Sequence, residues 1–223
     1  DAASLQFKPG DGLLGVFPCR SVDPLVVFGS NGRVYSVPVA GLPGGRGDGQ
    51  PITSLIELES GTQPAHYLAA EAGRRLVLAG SGGFGLLAQV GDLVARQKGG
   101  KTFLALEPGE TPLPPALLPA GELVGLQLGC LSQQGRLLVF PVDELKHQPK
   151  GGRGLTLIDL EEKKDALVSV AAFTTQLTVL GTSLRGAKPR EEVLRGAALA
   201  ACVGRRARRG RAIEGMKPQR LRA

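Results

Sequence analysis

A chain of 223 residues, 42% of them hydrophobic, is long enough to bury a core as one large domain or two ordinary ones. Aromatic residues make up only 4% and tryptophan is absent, which argues against a stacking platform for single-stranded nucleic acid; no apolar stretch is long enough to span a bilayer. The formal charge of +7 lies entirely in the last twenty residues, where eight basic residues face one acidic residue, so the rest of the chain is neutral.

The predicted elements are mostly short strands. Brief leucine-rich or β-branched runs bounded by Gly, Pro, Asn or Ser indicate them. In chain order they cover 25–28, 33–39, 52–58, 75–79, 84–90, 101–106, 123–130, 136–142, 155–160, 166–173 and 177–180. Single turns are expected near 91–93 and 143–145, and only 190–201 shows helical periodicity for more than two turns. This density of strands without alternating helices predicts an all-β fold.

An internal repeat of about fifty residues runs through these strands. Its clearest landmarks are hairpin-turn glycines with spacings of 51, 52 and 51 residues: Gly32, Gly83, Gly135 and Gly186. In the first three units a leucine and then a glycine pair follow: Leu42, Leu93 and Leu145, then Gly44-Gly45, Gly99-Gly100 and Gly151-Gly152. Repetition at this period predicts stacked or radially arranged units, each too small to bury a core alone.

The repeat divides the chain into unequal units within one domain, 1–223. Residues 1–24 resemble the end of a truncated first unit, and the chain is expected to be a piece of a longer protein. Full units are predicted at 25–74, 75–126 and 127–175, followed by an irregular last unit with a basic tail at 176–223. The last unit is irregular because no apolar strand follows Gly186. About four units plus a partial one are therefore expected, and the sequence leaves open whether they close into a ring.

Three cysteines carry no recognisable chemistry. Cys19, Cys130 and Cys202 are far apart, none lies in a C-x-x-C motif, and neither histidine is near them. We interpret them as reduced thiols in a cytosolic protein and expect no metal site. Tyr35 and Tyr67 fall in or near strands and are interpreted as packing residues.

The glycine-pair loops are the best candidates for binding. They cover 42–49, 95–101 and 147–154, and each carries basic residues. Adjacent glycines allow a backbone to approach a phosphate, and Lys and Arg supply the charge. The alternative is that these glycines only make tight turns. A radial repeat would bring equivalent loops to one rim and join their basic residues into a track. No loop matches a nucleotide-binding motif.

The basic run at 204–211 suits a polyanion, because each phosphate that is neutralised releases condensed counterions. A solvated, self-repelling chain end is an equally good interpretation of charge alone. The sequence does not decide whether this tail is folded or free.

Several motifs resemble one family, the C-terminal domains of bacterial type IIA topoisomerase A subunits, and its topoisomerase IV branch more than gyrase. Gln97-Lys-Gly-Gly-Lys101 and Lys150-Gly-Gly-Arg-Gly154 look like degenerate forms of the gyrase Q-R-R-G-G-K-G box, and Gly44-Gly-Arg-Gly47 is weaker. More specific similarities to topoisomerase IV are three segments: Asp92-Leu-Val-Ala-Arg96, Leu138-Val-Phe-Pro-Val142 and Gly204-Arg-Arg-Ala-Arg-Arg-Gly210 with Gly215-Met-Lys-Pro-Gln-Arg220 downstream.

The resemblance implies a β-pinwheel, a propeller-like ring of four-stranded blades in which neighbours exchange a strand. It also implies binding and bending of duplex DNA on the outer rim, which would help the enzyme core favour decatenation and relaxation of positive supercoils. The basic loops, hairpin starts and tail then give the predicted DNA-binding residues: Arg33, Arg46, Arg96, Lys98, Lys101, Arg136, Lys146, Lys150, Arg153, Arg205, Arg206, Arg208, Arg209 and Arg211.

By the same resemblance, the domain alone is not an enzyme and holds no cofactor, while the holoenzyme would need ATP and Mg. Its expected partners are double-stranded DNA, the ATPase B subunit of a heterotetramer, and the N-terminal core of the same polypeptide. Its expected location is the bacterial cytoplasm, associated with the nucleoid and without membrane insertion. The alternative function is a propeller-like scaffold that docks an acidic protein partner, favoured by the neutral charge balance of residues 1–203.

Overall fold

A computed structural model describes residues 6–45, 49–161 and 164–223. Within these ranges the chain is almost entirely strands and turns, with one five-residue helix, α1 (Gly196–Ala200), so the all-β prediction is confirmed. The strands are β1 (Pro24–Gly29), β2 (Arg33–Pro38), β3 (Pro64–Ala69), β4 (Arg75–Ala79), β5 (Phe84–Gln89), β6 (Lys101–Thr102), β7 (Ala116–Leu117), β8 (Gln127–Ser132), β9 (Arg136–Pro141), β10 (Leu155–Thr156), β11 (Leu167–Phe173), β12 (Gln176–Ser183), β13 (Pro189–Arg195), β14 (Arg211–Ala212) and β15 (Met216–Arg222). None of the described helices is long and apolar enough to cross a membrane.

Each repeat unit builds one antiparallel blade around a hairpin. The four hairpins are β1–β2, β4–β5, β8–β9 and β12–β13, and each receives a further strand from its own unit on its first strand: β3, β7, β11 or β15. The first strands begin at residues 24, 75, 127 and 176, at or next to the predicted unit boundaries.

The fourth strand of a blade comes from the following unit. β6, β10 and β14 pair with β2, β5 and β9 of the preceding blade, which gives the sheet orders β3-β1-β2-β6, β10-β5-β4-β7 and β11-β8-β9-β14. The last sheet, β13-β12-β15, has three strands. Strand exchange between neighbours is the defining feature of a pinwheel, so the blades are linked by main-chain hydrogen bonds as well as by packing.

The two edges of each blade face in opposite directions. β11 contacts both β7 and β15, and the Leu221 N–H donates to Ser169 Oγ across this junction at 3.0 Å. β7, β11 and β15 therefore lie on the edge of each blade that faces the central axis of the pinwheel. The exchanged strands pair with the opposite edge of each hairpin and define the outer rim.

Apolar side chains fill the spaces between neighbouring blades. Val26, Leu86 and Phe103 belong to the core between the first two blades, Val77 and Phe140 to the next. The third core joins the last two blades through side chains such as Val139, Val179 and Met216. The free face of the first blade is covered by its own unit, where Ile56 packs on Val27 and Tyr35. Alternate strand residues face opposite sides of a sheet, so each blade contributes to two cores.

Hairpin glycines occupy positions that a side chain could not share. Gly32 has a left-handed φ of 79°, and a Cβ there would lie 2.0 Å from the Leu104 carbonyl oxygen of the exchanged segment. Gly83 has a φ of 85° and lies against Leu160 and Ile158 in the same way. These glycines thus allow the hairpin turn and also leave room for the exchanged segment to pack against it.

Two predicted elements are wrong. Residues 190–201 were predicted as one helix, but β13 covers Pro189–Arg195 and α1 only Gly196–Ala200. β12 needs an antiparallel partner after the turn at Gly186, and Gly196, with a left-handed φ of 54°, interrupts any helix that would run through 190–201. Residues 52–58 were predicted as a strand, but a 3-10 turn forms at Ile52–Ser54. The predictions also missed β3, β7, β14 and β15.

The cysteine and tyrosine interpretations agree with the burial of these side chains. Cys130 and Cys202 are buried, and burial raises the pKa of both thiols, whereas Cys19 is exposed. Tyr35 is fully buried in β2, and Tyr67 in β3 is half-buried, with a pKa raised by desolvation.

Candidate nucleic-acid interface

Three loops lie in equivalent positions on the outer rim, just before each exchanged strand. We name them L2 (95–100), L3 (147–154) and L4 (203–210), and the corresponding segment of the first unit L1 (42–49). Each of the three ends on a left-handed glycine: Gly100, Gly154 and Gly210, with φ of 63°, 82° and 71°. A Cβ at these glycines would lie 2.3, 2.1 and 2.6 Å from the carbonyl oxygens of Val34, Gly85 and Leu137.

These contact carbonyls are themselves equivalent, because each lies two residues after a hairpin glycine. The loops also attach to the preceding unit in the same way. The N–H groups of Glu57, Ala105 and Asp159 donate to the carbonyls of Lys98, Gly152 and Arg208 at 3.0 Å in all three cases. The acceptors lie two residues before Gly100, Gly154 and Gly210, which we call the closing glycines of the loops. Main-chain bonding therefore fixes one common register for the three loops.

This register differs from the one that the glycine pairs suggested. Gly151-Gly152 was aligned with Gly99-Gly100, but the residue equivalent to Gly100 is Gly154. The sequence does contain a signal for the correct register. An apolar residue lies three positions after each closing glycine: Phe103, Leu157 and Ile213. The basic tail then emerges as a further copy of the loop.

With the loops aligned, basic residues recur at the same places. Four residues before the closing glycine lie Arg96, Lys150 and Arg206. Lys98 and Arg208 share the position two residues before it, Arg153 and Arg209 the position immediately before it, and Lys101 and Arg211 the position after it. The rim therefore carries a repeating pattern of cations and not a random scatter.

L2 presents its cations freely. Arg96 and Lys98 are exposed, and Lys101 is half-buried with its Nζ 5.8 Å from the centre of the Phe103 ring. Among the described residues, no carboxylate lies within 4 Å of these three side chains. L2 also borders a shallow depression of about 620 Å³ between it and the first blade.

L3 is partly neutralised. Arg153 forms salt bridges with Glu110 at 3.0 Å and Glu107 at 3.3 Å, and its guanidinium lies 4.1 Å from the centre of the Phe84 ring. Lys150 and Lys146 remain exposed and form no ion pair within the described ranges.

At the start of L3, His147 Nε2 lies 2.6 Å from the Asp92 carboxylate, which also accepts the Gln89 N–H. Asp92 belongs to the 3-10 turn of the second blade, so this contact ties the loop to its neighbour. Two of the three predicted cations in and beside L3 are thus fully exposed, while Arg153, like His147, is held by carboxylates.

L4 is the most basic of the three and is part of the fold. The Gly204 N–H donates to the Val139 carbonyl at 2.9 Å and the Ala207 N–H to the Leu157 carbonyl at 3.0 Å, so the predicted tail is a docked loop. Arg205, Arg208 and Arg211 are exposed, and no acid of the described chain lies within salt-bridge distance of them.

The other two arginines of L4 have partners. Arg209 Nε lies 3.8 Å from Asp159. Arg206 is half-buried, donating from its guanidinium to the Thr156 carbonyl at 2.6 Å and from its main chain to Glu144 at 3.1 Å. L4 and Arg211 directly after it therefore carry one anchoring arginine, Arg206, one exposed arginine with a long ion pair, Arg209, and three arginines that face solvent.

Arg33 and Arg136 lie at the rim but their guanidinium groups already bind loop backbone. Arg33 donates to the carbonyls of Gly99 at 2.8 Å and Gly100 at 3.1 Å, and Arg136 donates to the Gly210 carbonyl at 3.4 Å. Arg46, in L1, lies outside the described residues. That the fourteen predicted residues contact DNA remains a prediction; the structure places the thirteen described ones along the outer edges of three blades.

The chemistry of this rim is that of a docking surface. Within the described parts of the chain, no group of three or more His, Cys, Asp or Glu side chains is arranged to hold a metal ion. Exposed Lys and Arg, on loops that left-handed glycines fix closely against the preceding blade, suit the phosphates of an extended polyanion.

Comparison with known proteins agrees with this architecture. A family model described as the DNA gyrase C-terminal domain, a β-propeller, matches residues 23–55 and 130–174. The A subunit of DNA topoisomerase 4 from Neisseria gonorrhoeae is 35% identical over 164 residues, or 73% of the chain, and that from Salmonella typhimurium is 31% identical over 223 residues, or 97% of the chain. The chain spans 21% and 28% of the lengths of these relatives.

A solved structure of the Escherichia coli ParC C-terminal domain superimposes with a TM-score of 0.86 and 28% identity, covering 100% of this chain and 89% of that one. The chain is thus a β-pinwheel of the kind found as the C-terminal domain of type IIA topoisomerase A subunits. Within that class it belongs with the C-terminal domains of topoisomerase IV, and the resemblance predicted from the sequence is confirmed.

Proposed function

We propose that this domain binds double-stranded DNA along its outer rim and bends it. The observation that carries the proposal is the common register of L2, L3 and L4, which puts cations at equivalent points of successive blades. Contacts of this kind are directed to phosphates and tolerate any sequence. The residues expected to make them are the half-buried Lys101 and the exposed Arg96, Lys98, Lys146, Lys150, Arg205, Arg208 and Arg211.

Bending follows from the arrangement of the loops. Successive blades are rotated about a common axis, so equivalent loops face successive directions around the rim. A straight duplex would touch one loop well and its neighbours poorly. A duplex that contacts several loops must curve, and the added phosphate contacts offset the deformation energy.

We further propose that the domain acts within a larger topoisomerase. In that role it presents DNA segments to the catalytic core of the same polypeptide, favouring decatenation and relaxation of positive supercoils. The ATPase B subunit would complete the heterotetramer, and ATP and Mg would serve the holoenzyme and not this domain. The domain would act in the bacterial cytoplasm, at the nucleoid.

Duplex binding is tested by titrating labelled DNA with the chain at several salt concentrations. Phosphate-directed binding predicts that log K falls linearly with log salt, with a slope of about −0.9 for each phosphate contacted. A chain that contacts several phosphates should lose most of its affinity between low and physiological salt. Trivial affinity at low salt would favour the alternative, a scaffold for an acidic protein partner.

The loop assignment is tested by reversing Lys98, Lys101 and Lys150 together to Glu. Weaker binding with an unchanged unfolding transition is expected. Arg153 is left in place, because a glutamate there would face Glu107 and Glu110 and damage the fold. The role in the holoenzyme is tested by comparing decatenation and relaxation with and without the domain; equal rates on every substrate topology would contradict it.

A further inference from the structure

In each of the first three blades, the residue that follows the hairpin glycine touches the loop that docks on that blade. In the first three blades this residue is Arg33, Phe84 or Arg136, and in the last blade it is Ala187. The first three blades receive a loop and an exchanged strand from the next unit. In the last sheet, no strand of the described chain pairs with the free edge of β13. A large side chain thus occurs where there is a loop to hold.

Arg33 makes the most extensive of these contacts. Its Nε donates to the Gly99 carbonyl at 2.8 Å, and its terminal nitrogens donate to the Gly100 carbonyl at 3.1 Å and to Thr102 Oγ1 at 3.2 Å. Three points of the segment 99–102 are therefore tied to one rigid guanidinium fork. A lysine could not reproduce this geometry, because its ammonium is a single point of charge on a flexible stem.

In the second blade the hairpin and the loop are also connected through an arginine, but here the loop supplies the arginine. Phe84 occupies the position of Arg33, and the arginine comes from the loop instead: Arg153 lies over the Phe84 ring at 4.1 Å. Glu110 and Glu107 hold the other side of that guanidinium at 3.0 and 3.3 Å. In the third blade Arg136 makes one longer hydrogen bond, to the Gly210 carbonyl at 3.4 Å.

We infer that Arg33 is a positioning residue that fixes the conformation of L2, and so the placement of Arg96, Lys98 and Lys101, and that it does not itself contact DNA. Three of its five N–H donors are engaged by the Gly99 and Gly100 carbonyls and by the Thr102 hydroxyl. Arg136 does the same for L4 with a smaller effect. This inference rests on the proposed duplex binding. The contact of Arg33 with residues 99–102, which we call the clamp, is a property of the free protein.

The first test separates geometry from charge. Arg33→Lys keeps the charge and removes the fork, and Arg33→Met removes both. If Arg33 positions the loop, both variants should lose about five- to tenfold in duplex affinity, the scale of a few lost hydrogen bonds to a charged group. Arg220→Met, on the inner strand β15, is the control for loss of one exposed charge. An Arg33→Lys variant that binds like the wild type would overturn the inference.

The second test uses a double-mutant cycle with the loop cations. When Arg96, Lys98 and Lys101 are all replaced by Met, Arg33→Lys should change affinity by less than about twofold, because the segment that it positions no longer carries the contacts. A direct and independent contact by Arg33 would give the same loss in both backgrounds.

The third test needs no DNA. Hydrogen exchange of the segment 95–102 should be faster in Arg33→Lys than in the wild type and unchanged in Arg220→Met. Equal exchange would defeat the clamp whatever the binding data show. If the wild type fails to bind duplex while the exchange result holds, the proposed function falls and the clamp stands as a structural device.

Discussion

Loops L3 and L4 occupy the same place on neighbouring blades and both carry basic residues, yet they differ in how many cations they offer to a ligand. In L3 the arginine before the closing glycine is sandwiched between Phe84 and the carboxylates of Glu110 and Glu107. In L4 the equivalent arginine, Arg209, has one distant carboxylate at 3.8 Å, and three further arginines have none in the described chain.

The difference arises from neighbouring segments and not from the loops themselves. The acids that neutralise Arg153 lie in the preceding unit, at the turn 107–110, which L3 meets only because the blades exchange strands. A count of charges within each loop therefore overestimates the electrostatic strength of L3. The number of free cations on each rim loop therefore depends on the segment of the preceding unit on which the loop docks.

The largest expected effect comes from L4. Replacing Arg205 and Arg208 together with Glu should lower duplex affinity by about a hundredfold or more at low salt, because two phosphate contacts become two repulsions. The matched control replaces Lys217 and Arg220 of the inner strand β15 with Glu, which changes the net charge equally. Fluorescence anisotropy with a short duplex measures both. Equal losses in the two variants would show that only net charge matters and that the rim has no special role.

A second prediction concerns the shared backbone of the two loops. Gly151 of L3 has a φ of 71°, and a Cβ there would lie 2.1 Å from the Phe103 carbonyl oxygen. Gly151→Ala should therefore lower the free energy of unfolding by about 2–4 kcal/mol, from left-handed strain and steric overlap together. Urea denaturation provides the measurement, with Gly44→Ala, where a Cβ would meet open space, as the control. A stability loss no greater than in the control would contradict the register assigned to L3.

Releasing Arg153 should make L3 more like L4. Glu110→Gln keeps an oxygen acceptor for the Glu107 N–H and removes the nearer of the two charges that hold the guanidinium. Duplex affinity should rise about two- to fourfold, since a screened, partly exposed ion pair is all that is lost. Glu122→Gln, at an exposed glutamate that forms no salt bridge within the described chain, controls for the gain in net charge. An identical rise in both variants would mean that Arg153 is not restrained by its pairing.

The smallest effect is expected at Ala207, which occupies in L4 the position of Gly151 in L3. Ala207 is the one non-glycine residue with a left-handed φ, 63°, in the parts of the chain that the structure describes. Ala207→Gly should stabilise the chain by about 0.5–1 kcal/mol, because relief of left-handed strain exceeds the added entropy of the unfolded glycine. Thermal or urea unfolding detects this change, and a destabilised variant would show that Ala207 is not strained.

Local signals predicted much of this fold. The hairpin glycines, the short turns after β5 and β9, and strands β11 and β12 follow from residue types within a few positions of each other. The predictions that were wrong concern segments whose structure depends on contacts with residues far away in the sequence. Residues 52–58 have a strand-like pattern, but no preceding sheet edge receives them within the described chain, so Ile56 turns inward to cover the first blade instead.

The candidate site was predicted in composition but not in register. The basic loops were recognised, yet the equivalence of Gly100, Gly154 and Gly210 became clear only from the carbonyls that each glycine touches. The docking of L4 and the pairing of Arg153 with Glu110 likewise depend on contacts between units. Such contacts are not encoded in the residues of one loop, so sequence reasoning could identify the cations but not which of them are free.

The central claim is that one duplex follows the outer rim past L2, L3 and L4. Photo-crosslinking tests it most directly, with a probe placed in turn at residues 98, 150 and 208 and, as a control, at residue 217 on the inner strand. Crosslinks are expected from all three rim positions, at sites ordered along a single duplex, and none from residue 217. Crosslinks confined to residue 217, or none from the rim, would contradict it.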